Sequence, residues 1–195
     1  MSDQITSIVL AGVGGQGILL ASEITAQAAL LAGFDVKTNE VHGMAQRGGS
    51  VLAQIRYGKK VYSPLVAKGT AKVLVALEQI EAIRFADYLS AEGFAVASSQ
   101  AIIPVSVSSG AAKYPQNVKQ MLDDVFKKLV FIDAAKIAIE CGNIRAANTV
   151  LLGAMSNYLD LSRDCWHKAI EIAVSGKYAD LNKKAFEAGR KTNEQ

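Results

Sequence analysis

The chain has 195 residues, half of them hydrophobic and a fifth charged, which is enough to build one globular domain with a sizeable core. Its 21 basic and 18 acidic residues leave a net charge of +3 without any long run of like charges, so composition gives no argument for a nucleic-acid partner. No apolar stretch is long enough to cross a bilayer, and the first residues lack the basic segment that opens a signal peptide. We therefore expect a cytoplasmic protein with a single domain over residues 1–195.

The first predicted elements are a strand, a glycine-rich turn and a helix. An apolar run at 5–11 predicts the strand, and apolar residues at helical spacing predict a helix over 16–32, with a second strand at 34–38. Between the first strand and the helix lies Gly-Val-Gly-Gly-Gln-Gly at 12–17. Glycines there let the chain turn tightly and let its backbone approach an anion at the helix N-terminus. We therefore interpret this turn as a phosphate-binding loop.

The next stretch, at 39–49, is polar and contains glycines, which predicts a loop beyond the carboxyl end of the second strand. Open α/β sheets bind ligands at that edge. Arg47 in this loop can clamp a phosphate or a carboxylate, and it can equally pin the loop or pair with a carboxylate of a partner subunit. Alternating residues at 50–57 predict a strand with one wetter face. Residues 58–60 predict a tight turn, and 61–63 predict the returning strand of a hairpin.

The later part of the chain alternates strands and helices before it becomes helical. In chain order we predict a strand at 73–77, a helix at 79–89, an antiparallel pair of strands at 94–98 and 102–107, a helix at 116–127, a strand at 130–132, a buried helix at 146–161, and a further helix capped by Ser162. This order predicts a Rossmann-like three-layer α/β fold with a mostly parallel sheet, a β-hairpin excursion and a helical C-terminal region.

Reactive side chains are few. Cys141 and Cys165 lie in apolar helical stretches, which predicts buried, reduced thiols, and two cysteines cannot hold a four-cysteine iron–sulfur cluster. His42 and His167 are far apart in sequence, and a serine nucleophile elbow is missing. We therefore predict no catalytic residue and no metal ligand in this chain.

A nicotinamide site is one alternative for the glycine turn. It requires an acidic residue at the end of the second strand to accept from the ribose hydroxyls. Glu40 is the nearest candidate, but it lies deep in the predicted loop, and Gly15 adds an extra glycine to the turn. Both features depart from the dinucleotide-binding fingerprint.

Two loops carry a resemblance to a known family. The turn at 12–17 and the sequence Gln-Arg-Gly-Gly-Ser-Val at 46–51 resemble the gamma-type domain of 2-oxoacid:ferredoxin oxidoreductases. Segments at 62–65, 148–154 and 182–189 extend the resemblance over essentially the whole chain, and residues 42–49 are most similar to indolepyruvate-type members. The candidate residues for binding a cofactor or coenzyme A at a subunit interface are Gly12, Gly14, Gly15, Gln16, Gly17, Arg47, Gly48 and Gly49.

The resemblance implies an oxidative decarboxylation. A 2-oxoacid, here indolepyruvate or another aryl pyruvate, loses carbon dioxide on thiamine diphosphate, its acyl group passes to coenzyme A, and two electrons reach ferredoxin through iron–sulfur clusters. The resemblance further implies that thiamine diphosphate, Mg and the 4Fe-4S clusters belong to a larger alpha subunit, with no cofactor bound by this chain alone. The chain is then inactive by itself and completes a site at the subunit interface.

Two other functions stay open at this point. The chain can be a stand-alone nucleotide-binding oxidoreductase of the Rossmann type, or a purely structural subunit whose glycine turn packs against a partner. Isolation distinguishes the first alternative, because a stand-alone enzyme turns over without a partner. The position of the turn relative to the ligands of the complex distinguishes the second.

Overall fold

A computed structural model of the protein describes residues 5–43, 48–103, 105–108, 110 and 113–194. A six-stranded sheet lies at the centre, in the order β2-β3-β1-β4-β5-β6. The neighbours β1, β4, β5 and β6 run parallel, whereas β3 is antiparallel to both β1 and β2. The strands are β1 (Thr6–Val13), β2 (Asp35–His42), β3 (Ser50–Gly58), β4 (Ala71–Ala76), β5 (Leu89–Ser98) and β6 (Leu129–Ile132).

Helices cover both faces of this sheet. Side chains of β1 alternate between two apolar clusters, with Ile8 and Leu10 in one and Val9 and Ala11 in the other. The first cluster takes residues from α1, α5, α6, α7 and α8, and the second from α2 and α4. The helices are α1 (Ile18–Leu31), α2 (Gln79–Arg84), α3 (Val105–Ser108), α4 (Val118–Val125), α5 (Ala134–Cys141), α6 (Ala147–Ser156), α7 (Arg163–Ala173) and α8 (Gly176–Arg190). The predicted three-layer class is confirmed.

The hairpin predicted between 50–57 and 61–63 is wrong. β3 pairs instead with the preceding strand β2, in a register that joins His42 to Val51. Its wetter face is covered by the segment that follows it: Gln54 accepts a hydrogen bond from the Val66 backbone N–H at 2.6 Å, and Arg56 donates to the Ser63 carbonyl at 2.9 Å. The polar side chains of β3 therefore bind the backbone of a crossing segment, and the hairpin excursion of this fold is β2–β3.

Two further boundaries differ from prediction. Residues 39–42, predicted as loop, belong to β2 because that strand pairs with β3 as far as His42. The strand predicted at 102–107 is replaced by an irregular segment and the short helix α3. The N–H of Ile102 donates to the Glu78 carboxylate at 3.2 Å, so this backbone bonds to a side chain and adds no strand to the sheet.

The predicted buried helix at 146–161 is confirmed in α6, in which every residue from Asn148 to Ser156 is buried, but this helix ends at Ser156 and residues 157–161 lie outside it. α6 and α8 cross at two glycines. A Cβ atom on Gly153 would lie 2.0 Å from the Phe186 carbonyl oxygen, and one on Gly189 would lie 1.9 Å from the Val150 carbonyl oxygen. The two helices thus touch backbone to backbone.

The cap of α7 agrees with prediction, whereas the burial of the two cysteines does not. Ser162 caps α7 as predicted, since its hydroxyl accepts from the Cys165 N–H. Cys141 and Cys165 are free, but both are partly exposed, so the prediction of buried thiols is wrong. None of the helices in the described part of the chain has the length and apolarity needed to cross a bilayer.

We predict that Gly153→Ala destabilises the fold by about 3 kcal/mol, because the added methyl group must push two helices apart. Urea unfolding of the full chain measures this loss. Gly176→Ala is the matched control, since a Cβ atom there meets nothing within 4 Å and alanine favours a helix. Equal stability of the two variants would contradict the backbone contact.

Candidate functional site

The glycine turn, residues 14–17, lies at the carboxyl end of β1, between β3 and β4. It leads directly into α1, whose N-cap residue is Gly17. Because glycine has no side chain, the first-turn N–H groups of α1 receive no side-chain cap from that residue, and the first turn carries no acidic residue. The backbone at this helix end is therefore arranged to face an anion.

Gly17 must be glycine for two reasons. Its φ of +80° lies in the left-handed region, and a Cβ atom there would lie 2.8 Å from the Asn148 side-chain nitrogen. That nitrogen donates to the Gly17 carbonyl at 3.1 Å. Asn148 is buried on α6, and the neighbouring Thr149 hydroxyl donates to Asn182 of α8 at 2.8 Å. A buried polar chain thus connects the C-terminal helices to the turn.

Gln16 is bound on all sides by protein. Its Oε1 atom accepts from the Val13 N–H at 2.8 Å, and its Nε2 atom donates to the Leu77 carbonyl at 2.7 Å and to Gln100 Oε1 at 2.9 Å. Gly12 makes room for this arrangement, because a Cβ atom there would lie 2.8 Å from Gln16 Oε1. The amide of Gln16 therefore joins the ends of β1 and β4, and both of its protons are used.

The two predicted loops meet. The N–H of Gly14 donates to the Gly49 carbonyl at 2.9 Å, and Gly48, with a φ of +76°, lies beside it. Gly15 is exposed, with a φ of +104° and open space around it. Arg47 falls outside the described residues, so its predicted role stays a prediction.

A cleft of about 680 Å³ opens on one side of the turn. Its polar lining, besides the turn itself, comes from Ser98, Gln100, Arg145 and Asn148, with apolar walls that include Leu20 and Leu151. Among the residues that the structure describes, no carboxylate lines it. Arg145 is exposed, and among the described residues no acidic partner or hydrogen-bond acceptor is found for its guanidinium. The cleft is accordingly suited to a ligand with negative charge.

Sequence reasoning missed Gln100 and Arg145. Gln100 lies two residues beyond the carboxyl end of β5, which is the position where parallel sheets place ligand-binding groups. That signal was present in the sequence, but it was hidden by the wrong strand predicted at 102–107. Arg145 lies in a 3-10 turn before α6, and only the tertiary fold brings it to the glycine turn.

A second cleft, of about 780 Å³, opens on the other side of the turn. Besides the glycines of the turn, it is lined by apolar residues of β1, α1 and β3, and His42 and Gly43 stand at its β2 side. The backbone of the glycine turn thus separates the two clefts, and we call the first, which contains Gln100 and Arg145, the polar cleft.

Two buried acids fix the loops next to the turn. Glu78 is 2% exposed and accepts hydrogen bonds from the Tyr114 hydroxyl at 2.9 Å and from the Ile102 N–H. Burial raises the pKa of the Tyr114 hydroxyl, the donor in this bond, to about 12. Glu81 accepts from the hydroxyl of Ser50, the residue after Gly49. The acids therefore hold both loops in place.

Burial also raises the pKa of the Glu81 carboxyl above its ordinary value, although hydrogen bonds from Ser50 and Arg84 act in the opposite direction. Arg84 pairs with it at 2.9 Å. The neighbouring carboxylate of Glu78 raises the pKa of Glu81 further.

Glu40, the candidate acid for a ribose, does not lie at the site. Glu40 is exposed and lies in register with Ala53 and Leu10, two residues before the level of Gly12. It is also two strands away from β1, because the antiparallel β3 intervenes, and this separation is about 10 Å at the usual strand spacing. Glu40 is therefore not placed to bind a ribose beside the turn, and Glu78 and Glu81, which do lie near it, are buried and bonded to protein groups.

The side chains do not fit a metal centre either. Within the described residues there is no group of three or more His, Cys, Asp or Glu side chains close enough to hold an ion. The two cysteines of the sequence are too few for a four-cysteine cluster.

An α/β sheet with a glycine turn at the end of its first strand, beside a cleft that no carboxylate of the described residues lines, has the geometry of a site for an anionic ligand. The chain belongs to the pyruvate ferredoxin/flavodoxin oxidoreductase family, which matches residues 7–192. This match covers nearly the whole chain.

Two subunits of indolepyruvate oxidoreductases are similar to this chain over nearly their full length. The indolepyruvate oxidoreductase subunit IorB of Pyrococcus horikoshii is 42% identical over 190 residues, which cover 95% of this chain and 94% of that protein. The IorB subunit of Thermococcus kodakarensis is 43% identical over the same shares. The ketoisovalerate oxidoreductase subunit VorA of Methanothermobacter thermautotrophicus is 33% identical, and the match covers 93% of this chain but only 35% of VorA.

Solved structures share the fold. The gamma subunit of a keto/oxoacid ferredoxin oxidoreductase from Geobacter sulfurreducens superposes with a TM-score of 0.70 at 23% identity, covering 96% of this chain and 97% of that chain. A 2-oxoglutarate:ferredoxin oxidoreductase from Magnetococcus marinus, with 2-oxoglutarate, coenzyme A and succinyl-CoA bound, superposes with a TM-score of 0.74 at 19% identity, covering 99% of this chain and 32% of that one.

We predict that Gly17→Ala lowers the free energy of unfolding by about 2–3 kcal/mol, through backbone strain and displacement of the Asn148 amide. Gly33→Ala is the control, because Gly33 has a similar φ of +86° with open space around it and isolates the strain. Chemical denaturation measures the free energy of unfolding of both variants. The same measurement on each variant combined with Asn148→Ala gives the coupling energy between the glycine position and Asn148. Equal losses in the two glycine variants would show that Asn148 does not restrict the turn.

We predict that Glu81 makes stability depend on pH. Because its folded-state pKa is raised above the ordinary 4.5, its contribution to stability is fully present below that pH and is lost as the pH rises through the folded-state value. Unfolding titrations of the wild type and Glu81→Gln across that range compare the two. The wild type should lose stability relative to the variant as pH rises, and a gain would contradict the effect of burial.

Proposed function

We propose that this chain is the small subunit of a 2-oxoacid:ferredoxin oxidoreductase whose complex acts on indolepyruvate or another aryl pyruvate. The observation that carries the proposal is the 42–43% identity to two IorB subunits. In each comparison the similarity extends over nearly the full length of this chain and of the IorB subunit. The fold shared with gamma subunits of related oxidoreductases supports the same reading.

The reactive groups of such a complex belong to another chain. We assign thiamine diphosphate with Mg, and the 4Fe-4S clusters, to a larger alpha subunit, because two cysteines are too few for a four-cysteine cluster and the described residues include no group of side chains that could hold a metal ion. The complex removes carbon dioxide from the 2-oxoacid, transfers the acyl group to coenzyme A and passes two electrons to ferredoxin. This chain contributes no catalytic residue, and its part is to bind and orient.

We assign the glycine turn and its polar cleft to coenzyme A. The uncapped N–H groups of α1 and the guanidinium of Arg145 attract phosphate groups, and the apolar wall at Leu20 and Leu151 suits the uncharged part of the ligand. A cleft of about 680 Å³ accommodates a ligand of nucleotide size. Gly12 and Gln16 shape the turn, whereas Gly14, Gly15 and Gly17 offer it to the ligand.

The second loop completes this site at the subunit interface. The carbonyl of Gly49 is bonded to Gly14 of the turn, and Arg47 and Gly48 directly precede Gly49 in the sequence. We propose that Arg47 binds the ligand or a carboxylate of the alpha subunit.

We further propose that residues 1–195 form a single domain and that the complex is cytoplasmic. The family match over 7–192 supports the first statement. The free cysteines Cys141 and Cys165 support a reducing compartment. The relatives do not favour a stand-alone nicotinamide enzyme, and the position of Glu40 argues against it.

We predict that the chain gives coenzyme A-dependent reduction of a ferredoxin analogue only when it is co-purified with its alpha subunit, with indolepyruvate preferred in a panel of 2-oxoacids.

Arg145→Ala should raise the KM for coenzyme A about tenfold, since a charged hydrogen bond is lost. Lys136→Ala, which removes the same charge from the exposed surface of α5, is the control. Turnover by the isolated chain would contradict the proposal, and an unchanged KM in Arg145→Ala would favour a purely structural subunit.

A further inference from the structure

We infer that Gln100 binds a ligand and that its side-chain amide is held in one orientation. In this orientation its Nε2 atom donates hydrogen bonds to an anionic oxygen in the polar cleft. This inference deepens the proposed function, since it concerns the same cleft. It begins from the bonds that Gln16 makes with backbone groups whose roles as donor or acceptor cannot change.

The orientation of the Gln16 amide follows from two such groups. The Val13 N–H can only donate, so the atom 2.8 Å from it must be the oxygen of Gln16. The Leu77 carbonyl can only accept, so the atom 2.7 Å from it must be the nitrogen. The second proton of that nitrogen then points to Gln100.

Gln100 has to present an acceptor to that proton. Its Oε1 atom lies 2.9 Å from Gln16 Nε2, which fixes the side-chain amide in one orientation and leaves its own amino group for other partners. The backbone of Gln100 is fixed as well: its N–H donates to the Ser98 hydroxyl at 3.2 Å, and its carbonyl accepts from the Gln79 N–H at 3.1 Å. The side chain has little freedom to turn.

The two amino protons of Gln100 have no acceptor in the part of the chain that the structure describes. Gln100 lines the polar cleft, together with the glycine turn and Arg145. The described residues that line this cleft include no carboxylate, and Gln100 is only partly buried, so its amino protons are open to water or to an acceptor on a ligand. Phosphate oxygens of coenzyme A and the carboxylate of a 2-oxoacid share the necessary chemistry, and we assign the position to coenzyme A.

The orientation can be measured in the isolated full-length chain. In side-chain amide NMR spectra, with the Gln100 pair identified from Gln100→Met, the amino protons of Gln16 should exchange slowly with water and those of Gln100 quickly. Slow exchange at Gln100 would overturn the inference, because it would reveal an acceptor within the protein. This measurement does not depend on the proposed function.

Two variants test the role in binding within the reconstituted complex. Gln100→Glu keeps the acceptor for Gln16 but places a negative charge in the cleft, and Gln100→Met removes both polar groups. We expect the KM for coenzyme A to rise about 10- to 100-fold in Gln100→Glu and about 3- to 10-fold in Gln100→Met. Stability should follow the opposite order, because only Gln100→Met breaks the bond to Gln16.

These opposite orders separate binding from a merely structural effect. A rise in the KM for indolepyruvate alone would support the donor role of Gln100 and assign the cleft to the oxoacid, which would contradict the proposed placement of coenzyme A. Unchanged KM values for both substrates in Gln100→Glu would overturn the inference. Loss of coenzyme A dependence in the wild-type complex would instead count against the proposed function, while the NMR experiment would still decide the orientation of Gln100.

Discussion

The hydrogen bond from Asn148 to the Gly17 carbonyl connects two parts of the chain that are 131 residues apart, and the candidate site depends on it. It holds Gly17, the N-cap residue of α1, in a conformation that only glycine adopts without strain. On the other side of Asn148, Thr149 and Asn182 continue the polar chain into α8. Buried polar groups must be satisfied, so this chain of hydrogen bonds fixes where α6 lies relative to the turn.

The turn illustrates how a protein distributes polar groups between its own structure and a ligand. The amide of Gln16 is fully occupied by the strand ends, and the Gly14 N–H is bonded to Gly49. The guanidinium of Arg145 and the amino group of Gln100, in contrast, have no hydrogen-bond partner among the described residues, and both residues line the cleft. A motif residue such as Gln16 therefore shapes the site, while the residues available to a ligand come from elements with no recognisable pattern.

Local periodicity was sufficient for much of the fold. The first strand, the glycine turn and α1 follow from residues 5–32, and α6 was correctly predicted as buried because it is apolar nearly all round. The errors have a common physical cause. Gln54 and Ile102 bond to distant groups, the Val66 N–H and the Glu78 carboxylate, and such long-range partners are invisible to a local pattern. For the same reason, the sequence did not reveal that Arg145 lies beside the glycine turn. Nor did it reveal that the Gln16 amide is bonded to protein groups.

The glycine crossing of α6 and α8 has a mechanical consequence. Where main chains touch at Gly153 and Gly189, no side chain is present that can change rotamer and let one helix slide along the other. Asn148 is carried by this stiff pair, so the Gly17 end of the turn is mounted on a rigid support. Adaptation to an incoming molecule then falls to the opposite end of the turn, where, within the described ranges, a backbone bond between Gly14 and Gly49 makes the connection to the β2–β3 hairpin.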